Sequence, residues 1–133
     1  MEVVVQSTYG DLNFKGTNER GQTLQFSGNK ESVSPMEAVL MSAAGCSAID
    51  VELFLKKMRQ DLHPIEVKVS GTRADAVPAV FTKIHMHYIL IGDIKEAKAK
   101  QAIELSMEKY CSVSIMLTSS VEITHSFEIR EAV

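Results

Sequence analysis

Tryptophan is absent from these 133 residues, proline occurs three times, cysteine twice, and aromatic residues make up only 6%. Nucleic-acid surfaces are marked by basic clusters interleaved with aromatics. Here 14 basic residues face 17 acidic ones, the net charge is -3, and no such cluster is found, so nucleic acid is not expected as a partner. No uncharged apolar run approaches the length of a membrane span. The first ten residues, M-E-V-V-V-Q-S-T-Y-G, have neither the basic start nor the apolar stretch of a secretion signal. A cytoplasmic protein without membrane attachment is expected. In a reducing compartment, two cysteines do not imply a permanent structural disulfide. The sequence also lacks a Gly-rich phosphate loop and a Gly-x-Ser-x-Gly turn, which removes support for nucleotide chemistry and serine hydrolysis.

What is present is ordinary globular composition, 45% hydrophobic and 23% charged, in a length that suits a single domain over 1–133. The stretch S-P-M-E-A-V-L-M-S-A-A-G-C-S-A-I-D-V-E-L-F-L-K-K-M, from Ser34 to Met58, organises the rest. Ser34 as N-cap, Pro35 at the first helical position and Glu37 three residues after the cap mark a helix start. From Met36 to Ala48 the only charge is Glu37. A helix so apolar on all sides must be enclosed by other elements or by a second chain. It turns amphipathic after Asp50 and runs to about Gln60.

Before it, 2–6, 11–15 and 23–27 read as short strands, with turns at Tyr9-Gly10 and at N-E-R-G, 18–21. After it, His63-Pro64 ends the helical region. Ile65 to Arg73 and Val80 to Ile91 alternate as a hairpin about a turn containing Pro78. Asp93 with Glu96 reads as the capping box of a second, more polar helix reaching about Cys111. A short helical segment over 113–117 comes next, and Val121 to Ile129 alternates as a closing strand. Hairpins outnumber crossovers, so the expected class is α+β with a mainly antiparallel sheet around a long buried central helix.

Cys46 sits at the centre of that helix after Ala43, Ala44 and Gly45, and Cys111 lies 65 residues later. The pair reads either as a reactive thiol with a resolving partner or as two core cysteines. Spacing leaves both open, and core burial is the commoner case. Ser42 and Asp50 lie one turn from Cys46 on the same face: Ser42 can hydrogen-bond the thiol, whereas Asp50 opposes its ionisation unless paired with Lys57 or an arginine. His85 and His87 share one side of a strand, a spacing able to chelate a metal, but no third ligand is evident and a solvated face is the expected reading. His63 lies in a connector, His125 on the apolar face of the last strand, and the methionines read as core filling.

The run S-P-M-E-A-V-L-M-S-A-A-G-C at 34–46, together with E-K-Y-C-S-V-S at 108–114, resembles the osmotically inducible protein C and organic hydroperoxide resistance family. In that family a proline opens a buried helix bearing the reactive cysteine, and a second cysteine closes the second long helix. The resemblance implies an OsmC-like fold, an intertwined homodimer with two interfacial sites, and thiol-dependent reduction of organic hydroperoxides in oxidative-stress defence. It implies Cys46 as peroxidatic and Cys111 as resolving thiol, with no bound cofactor and an external dithiol such as a lipoyl group as reductant. Two departures stand out. The family's glutamate directly after the proline is here Met36, with Glu37 one place later; Glu37 is about 180° around the helix from Cys46 and roughly 13 Å along it, so it reaches a thiol only across a dimer interface. The family's thiolate-stabilising arginine has its nearest counterpart in Arg20, one place out of register, and Arg73 is the other loop arginine. The other function class is a non-catalytic dimeric protein holding a small hydrophobic ligand, or a redox sensor using the same cysteines.

Overall fold

The computed structural model describes residues 1–8 and 10–132, so Tyr9 of the first expected turn lies outside the described residues, as does Val133. The chain divides into two compact units, 1–39 and 40–133.

The first unit is an antiparallel meander of β1 (Val3–Ser7), β2 (Asn13–Asn18) and β3 (Thr23–Ser27), in spatial order 1-2-3. Val5 pairs with Gly16 and Phe14 with Phe26. The second strand starts two residues later than its sequence pattern suggests, because Leu12 has a left-handed φ of 63° and cannot continue a strand. The expected turn at 18–21 is present. Its conformation is set by Asn18, whose side-chain carbonyl accepts the amides of Arg20 (3.1 Å) and Gln22 (2.9 Å), and by Gly21 at φ 80°. The helix entry closes this unit as a reciprocal capping box. The Glu37 carboxylate accepts the Ser34 amide (3.0 Å), and the Ser34 hydroxyl accepts the Glu37 amide (3.1 Å).

The second unit carries most of α1 (Pro35–Lys57), followed by β4 (Asp61–Arg73), β5 (Phe81–Asp93), α2 (Glu96–Leu105), a π-helical turn (Ser106–Tyr110), α3 (Ser112–Leu117) and β6 (Glu122–Arg130). α1 stops where Arg59 turns left-handed (φ 58°) and the Gln60 amide reaches back to the Leu55 carbonyl (2.9 Å), a Schellman closure made without glycine. The next strand begins at Asp61, four residues earlier than its alternation indicates. Pro64 is accommodated because the pairing slips between Leu62 and Ile65, and at such a bulge a missing amide donor breaks no ladder bond. β4 and β5 are antiparallel, but β6 lies parallel to β5, so this sheet is mixed. The helical crossover between them has the length that a parallel return requires.

Asp93 does not cap α2. It is the last residue of β5, and the N-cap is Lys95, whose amide donates to the side-chain oxygen of Gln60 (2.9 Å). The core is formed by Ile84, Met86, Tyr88 and Leu90 of β5, Ala43, Val51 and Leu55 of α1, and Ala99, Ala102 and Ile103 of α2, all fully buried. Among the described residues one helix, α1, is long and apolar enough to cross a membrane, with mean hydropathy 1.6. One stripe of it, Ala43, Ser47, Val51 and Leu55, is fully buried. On the opposite side Met41, Ile49 and Leu53, four residues apart around Gly45, remain 50–63% exposed. One chain therefore does not enclose this helix.

Candidate functional site

The crossover brings the two cysteines together. α2 carries the chain towards α1, and the π-helical turn adds a residue to its last loop, closed by the Cys111 amide on the Ser106 carbonyl at 2.7 Å. Cys111 then leaves helical geometry (φ -74°, ψ 97°) and points its sulfur at α1. The thiol lies 3.8 Å from the Ala43 carbonyl, one turn before Cys46, and donates to the Ser114 hydroxyl at 3.2 Å. The Cys46 thiol is close enough to act on the ionisation of Cys111. Cys46 is half-buried and Cys111 fully buried; both are free thiols. Burial pushes the Cys111 thiol above the ordinary cysteine range, the adjacent Cys46 adds to the rise, and the Ser114 hydroxyl opposes it. Cys111 therefore stays protonated at neutral pH.

Next to the thiols is a buried polar cluster that no pattern in the sequence marks. The Ser47 hydroxyl is 2.5 Å from the Tyr88 hydroxyl and 2.8 Å from that of Ser106, and Ser106 donates to the Asp50 carboxylate at 3.0 Å. Asp50 is thus paired, though with a serine and not with Lys57 or an arginine. Burial pushes the Tyr88 phenol up from 10.0 to about 12, against the lowering effect of the Ser47 hydrogen bond.

Raised acids of this kind make the fold sensitive to alkali. The unfolded chain releases its thiol and phenol protons near the ordinary values, 9.0 and 10.0, while the folded chain retains them. Stability is complete below pH 9 and falls as pH rises through the folded values. For Tyr88 the loss is about 2–3 kcal/mol by pH 12. Thermal melts should be flat from neutral pH to pH 9 and then fall, with a shallower decline above pH 10 in Tyr88→Phe.

Arg20 belongs to the first unit, where its Nε donates to the Gln22 side-chain oxygen (3.1 Å). Arg73 is held by the Ala79 carbonyl (2.7 Å). Glu37 is held in its capping box, which places its pKa below the usual carboxylate value. The expected solvated face at His85 and His87 is instead a half-buried ladder on β6. His85 contacts Thr124 (2.6 Å) and Ser126 (2.9 Å), and His87 contacts Ser126 (2.7 Å) and Glu128 (2.9 Å). No group of three or more His, Cys, Asp or Glu among the described residues is disposed to hold a metal ion. His125, expected as a core histidine, is exposed: β6 is an edge strand, and its neighbours Ile123, Phe127 and Ile129 are only half-buried in this chain.

Fold and site together define an α+β protein with a thiol pair set between a long apolar helix and a crossover turn. The chain belongs to the OsmC-like protein family, whose sequence profile matches residues 28–126. It is 47% identical over 124 residues to Protein YhfA of Escherichia coli K12, covering 91% of this chain and 92% of that one. A hypothetical protein from Aquifex aeolicus VF5, 30% identical, superposes with a TM-score of 0.91 over 99% of this chain and 97% of its own. The organic hydroperoxide resistance protein OhrB of Bacillus subtilis has the same fold, with a TM-score of 0.64 at 18% identity over 96% of each chain.

Proposed function

We propose that this protein is a thiol-dependent peroxidase for organic hydroperoxides, working as a cytoplasmic homodimer. The observation that carries the reading is the approach of Cys111 to Cys46 across 65 residues of sequence. The Cys46 thiolate attacks the terminal peroxide oxygen, the O–O bond breaks, and the alkoxide takes a proton and leaves as the alcohol. The Cys111 thiol then attacks the Cys46 sulfenic acid. A disulfide forms and water departs with the thiol proton. An external dithiol, of the lipoyl type, reduces the disulfide by exchange. A buried thiol kept protonated by its surroundings suits the resolving role, since it does not compete for peroxide.

The open apolar seam of α1 at Met41, Gly45, Ile49 and Leu53 supports burial against a second chain. Glu37, nine residues before Cys46 on the same helix, enters this site only from the other chain of such a dimer, and Arg20 is the arginine that the reading assigns to the thiolate. Native mass spectrometry after one equivalent of cumene hydroperoxide tests both parts. The expected species is a two-chain assembly in which each chain has lost two hydrogens and carries a Cys46–Cys111 linked peptide. Free or separately overoxidised thiols would rule the mechanism out. The second reading, a holder of small hydrophobic ligands, is favoured by Met36 and by an open apolar hollow of about 380 Å³ in the first unit, lined by Val5, Leu12, Phe14, Phe26 and Pro35. A copurified apolar ligand, with no peroxide consumed, would select it.

A further inference from the structure

A chain of buried hydroxyls runs from β5 through α1 to the start of the π-helical turn, and its geometry has a direction. Ser106 donates to Asp50, the one member that can only accept when ionised. With its hydrogen committed there, the Ser106 oxygen accepts from Ser47 at 2.8 Å, and the Ser47 oxygen accepts from the Tyr88 phenol at 2.5 Å. Ser47, Tyr88 and Ser106 have no exposure at all, and every buried side-chain polar atom among the described residues has a partner. The sulfur atoms of Met107 and Met86 lie 3.4 and 3.7 Å from the phenol and complete its surroundings. A fully satisfied network in a low-dielectric core fixes the relative position of the elements it joins.

The residues it joins bear on the thiols. Ser47 is the residue after Cys46 in α1. Ser106 opens the π-helical turn, and its carbonyl holds the Cys111 amide at 2.7 Å, so the residue whose hydroxyl is tied to α1 also sets where Cys111 leaves the helix. π-turns are uncommon and concentrate at functional sites, because the inserted residue re-aims the side chains beyond it. An uninterrupted α-helix would rotate Cys111 about 100° from its present direction.

We propose that Asp50, Ser106, Ser47 and Tyr88 are positioning residues for closure of the Cys46–Cys111 bond: the hydroxyl chain anchors the π-helical turn to α1 and so aims the Cys111 sulfur at Cys46. This rests on the two-thiol reading above. It assigns a role in the second chemical step and none in the attack on peroxide.

The test uses a reaction that needs no peroxidase activity. The diazene oxidant diamide accepts two hydrogens from a dithiol, becoming a hydrazine as the disulfide forms. Its rate of closing the Cys46–Cys111 bond, read by peptide mapping, is compared in native protein, Ser106→Ala, Asp50→Ala and Asp50→Asn. Ser106→Ala and Asp50→Ala are expected to close the bond at least about tenfold more slowly, the scale of a misplaced reacting atom. Asp50→Asn retains an acceptor for Ser106 and is expected to stay within about twofold of native. Alkylation of Cys46 by iodoacetamide should proceed at the native rate in Ser106→Ala, which keeps the charge of Asp50, and general loosening of the fold would not permit this. Closure at the native rate in Ser106→Ala, or failure of Asp50→Asn to rescue, would overturn the proposal while leaving the thiol pair intact. Absence of any Cys46–Cys111 bond in the native protein would overturn both.

Discussion

Cys46→Ser is expected to abolish consumption of cumene hydroperoxide with dihydrolipoamide as reductant, lowering turnover by roughly a thousandfold or more. A serine hydroxyl at this position is not ionised near neutral pH and is a poor nucleophile toward oxygen, so no residual route to the sulfenic acid exists. Cys111→Ser should behave differently. Its first peroxide is still reduced, because the attacking sulfur is untouched, but the sulfenic acid then lacks its partner and the reaction stalls or proceeds to the sulfinic acid. Native protein should prefer the organic substrate over hydrogen peroxide. Each methylene withdrawn from water contributes about 0.8 kcal/mol, and the apolar residues of α1 around Cys46 offer such a surface. Equal rates for native protein and Cys46→Ser would end the peroxidase reading and turn attention to ligands of the apolar hollow beside β2 and β3.

The parts of this molecule legible in its sequence are those set by neighbours in the chain. The entry to α1 is one, since Ser34, Pro35 and Glu37 need nothing distant to form their box. The alternation of β5 is another: Ile84, Met86, Tyr88 and Leu90 all face the core. Where a partner comes from far away, the local signal misleads. Asp93 and Glu96 spell a capping box, yet Gln60, 35 residues before Lys95, takes the amide at the head of α2, and Asp93 stays in the strand. Likewise Asp50 is answered by Ser106 from another helix, not by Lys57 two turns on. The parallel placement of β6 depends on where the crossover returns, which no residue in β6 encodes. The two cysteines are singled out by family resemblance. Their approach depends on a π-helical turn whose sequence, S-M-E-K-Y, looks like ordinary helix.

The backbone where β4 meets the end of β5 is the place where one added carbon should be most damaging. Gly92 pairs with Leu62 just before the bulge that accommodates Pro64, and it has a φ of 145°, a region essentially reserved for glycine. A Cβ there would fall 1.9 Å from the carbonyl oxygen of Asp61 and 3.2 Å from the His63 ring. The first obstacle is backbone already paired across the sheet, so relief requires the strands to part, and the nearby residues Gln60 and Lys95 are those that join α1 to α2. Gly92→Ala should therefore cost about 3–5 kcal/mol, a fall in Tm on the order of 10 °C for a chain of this size. Gly71→Ala provides the comparison. Its Cβ would meet the Phe81 ring at 2.5 Å, but the obstacle is a side chain and the backbone φ is ordinary, so repacking should limit the loss to about 1–2 kcal/mol. Thermal melts of the two variants under one set of conditions decide the matter: if Gly92→Ala melts no lower than Gly71→Ala, the strand junction is more pliable than its close approach implies.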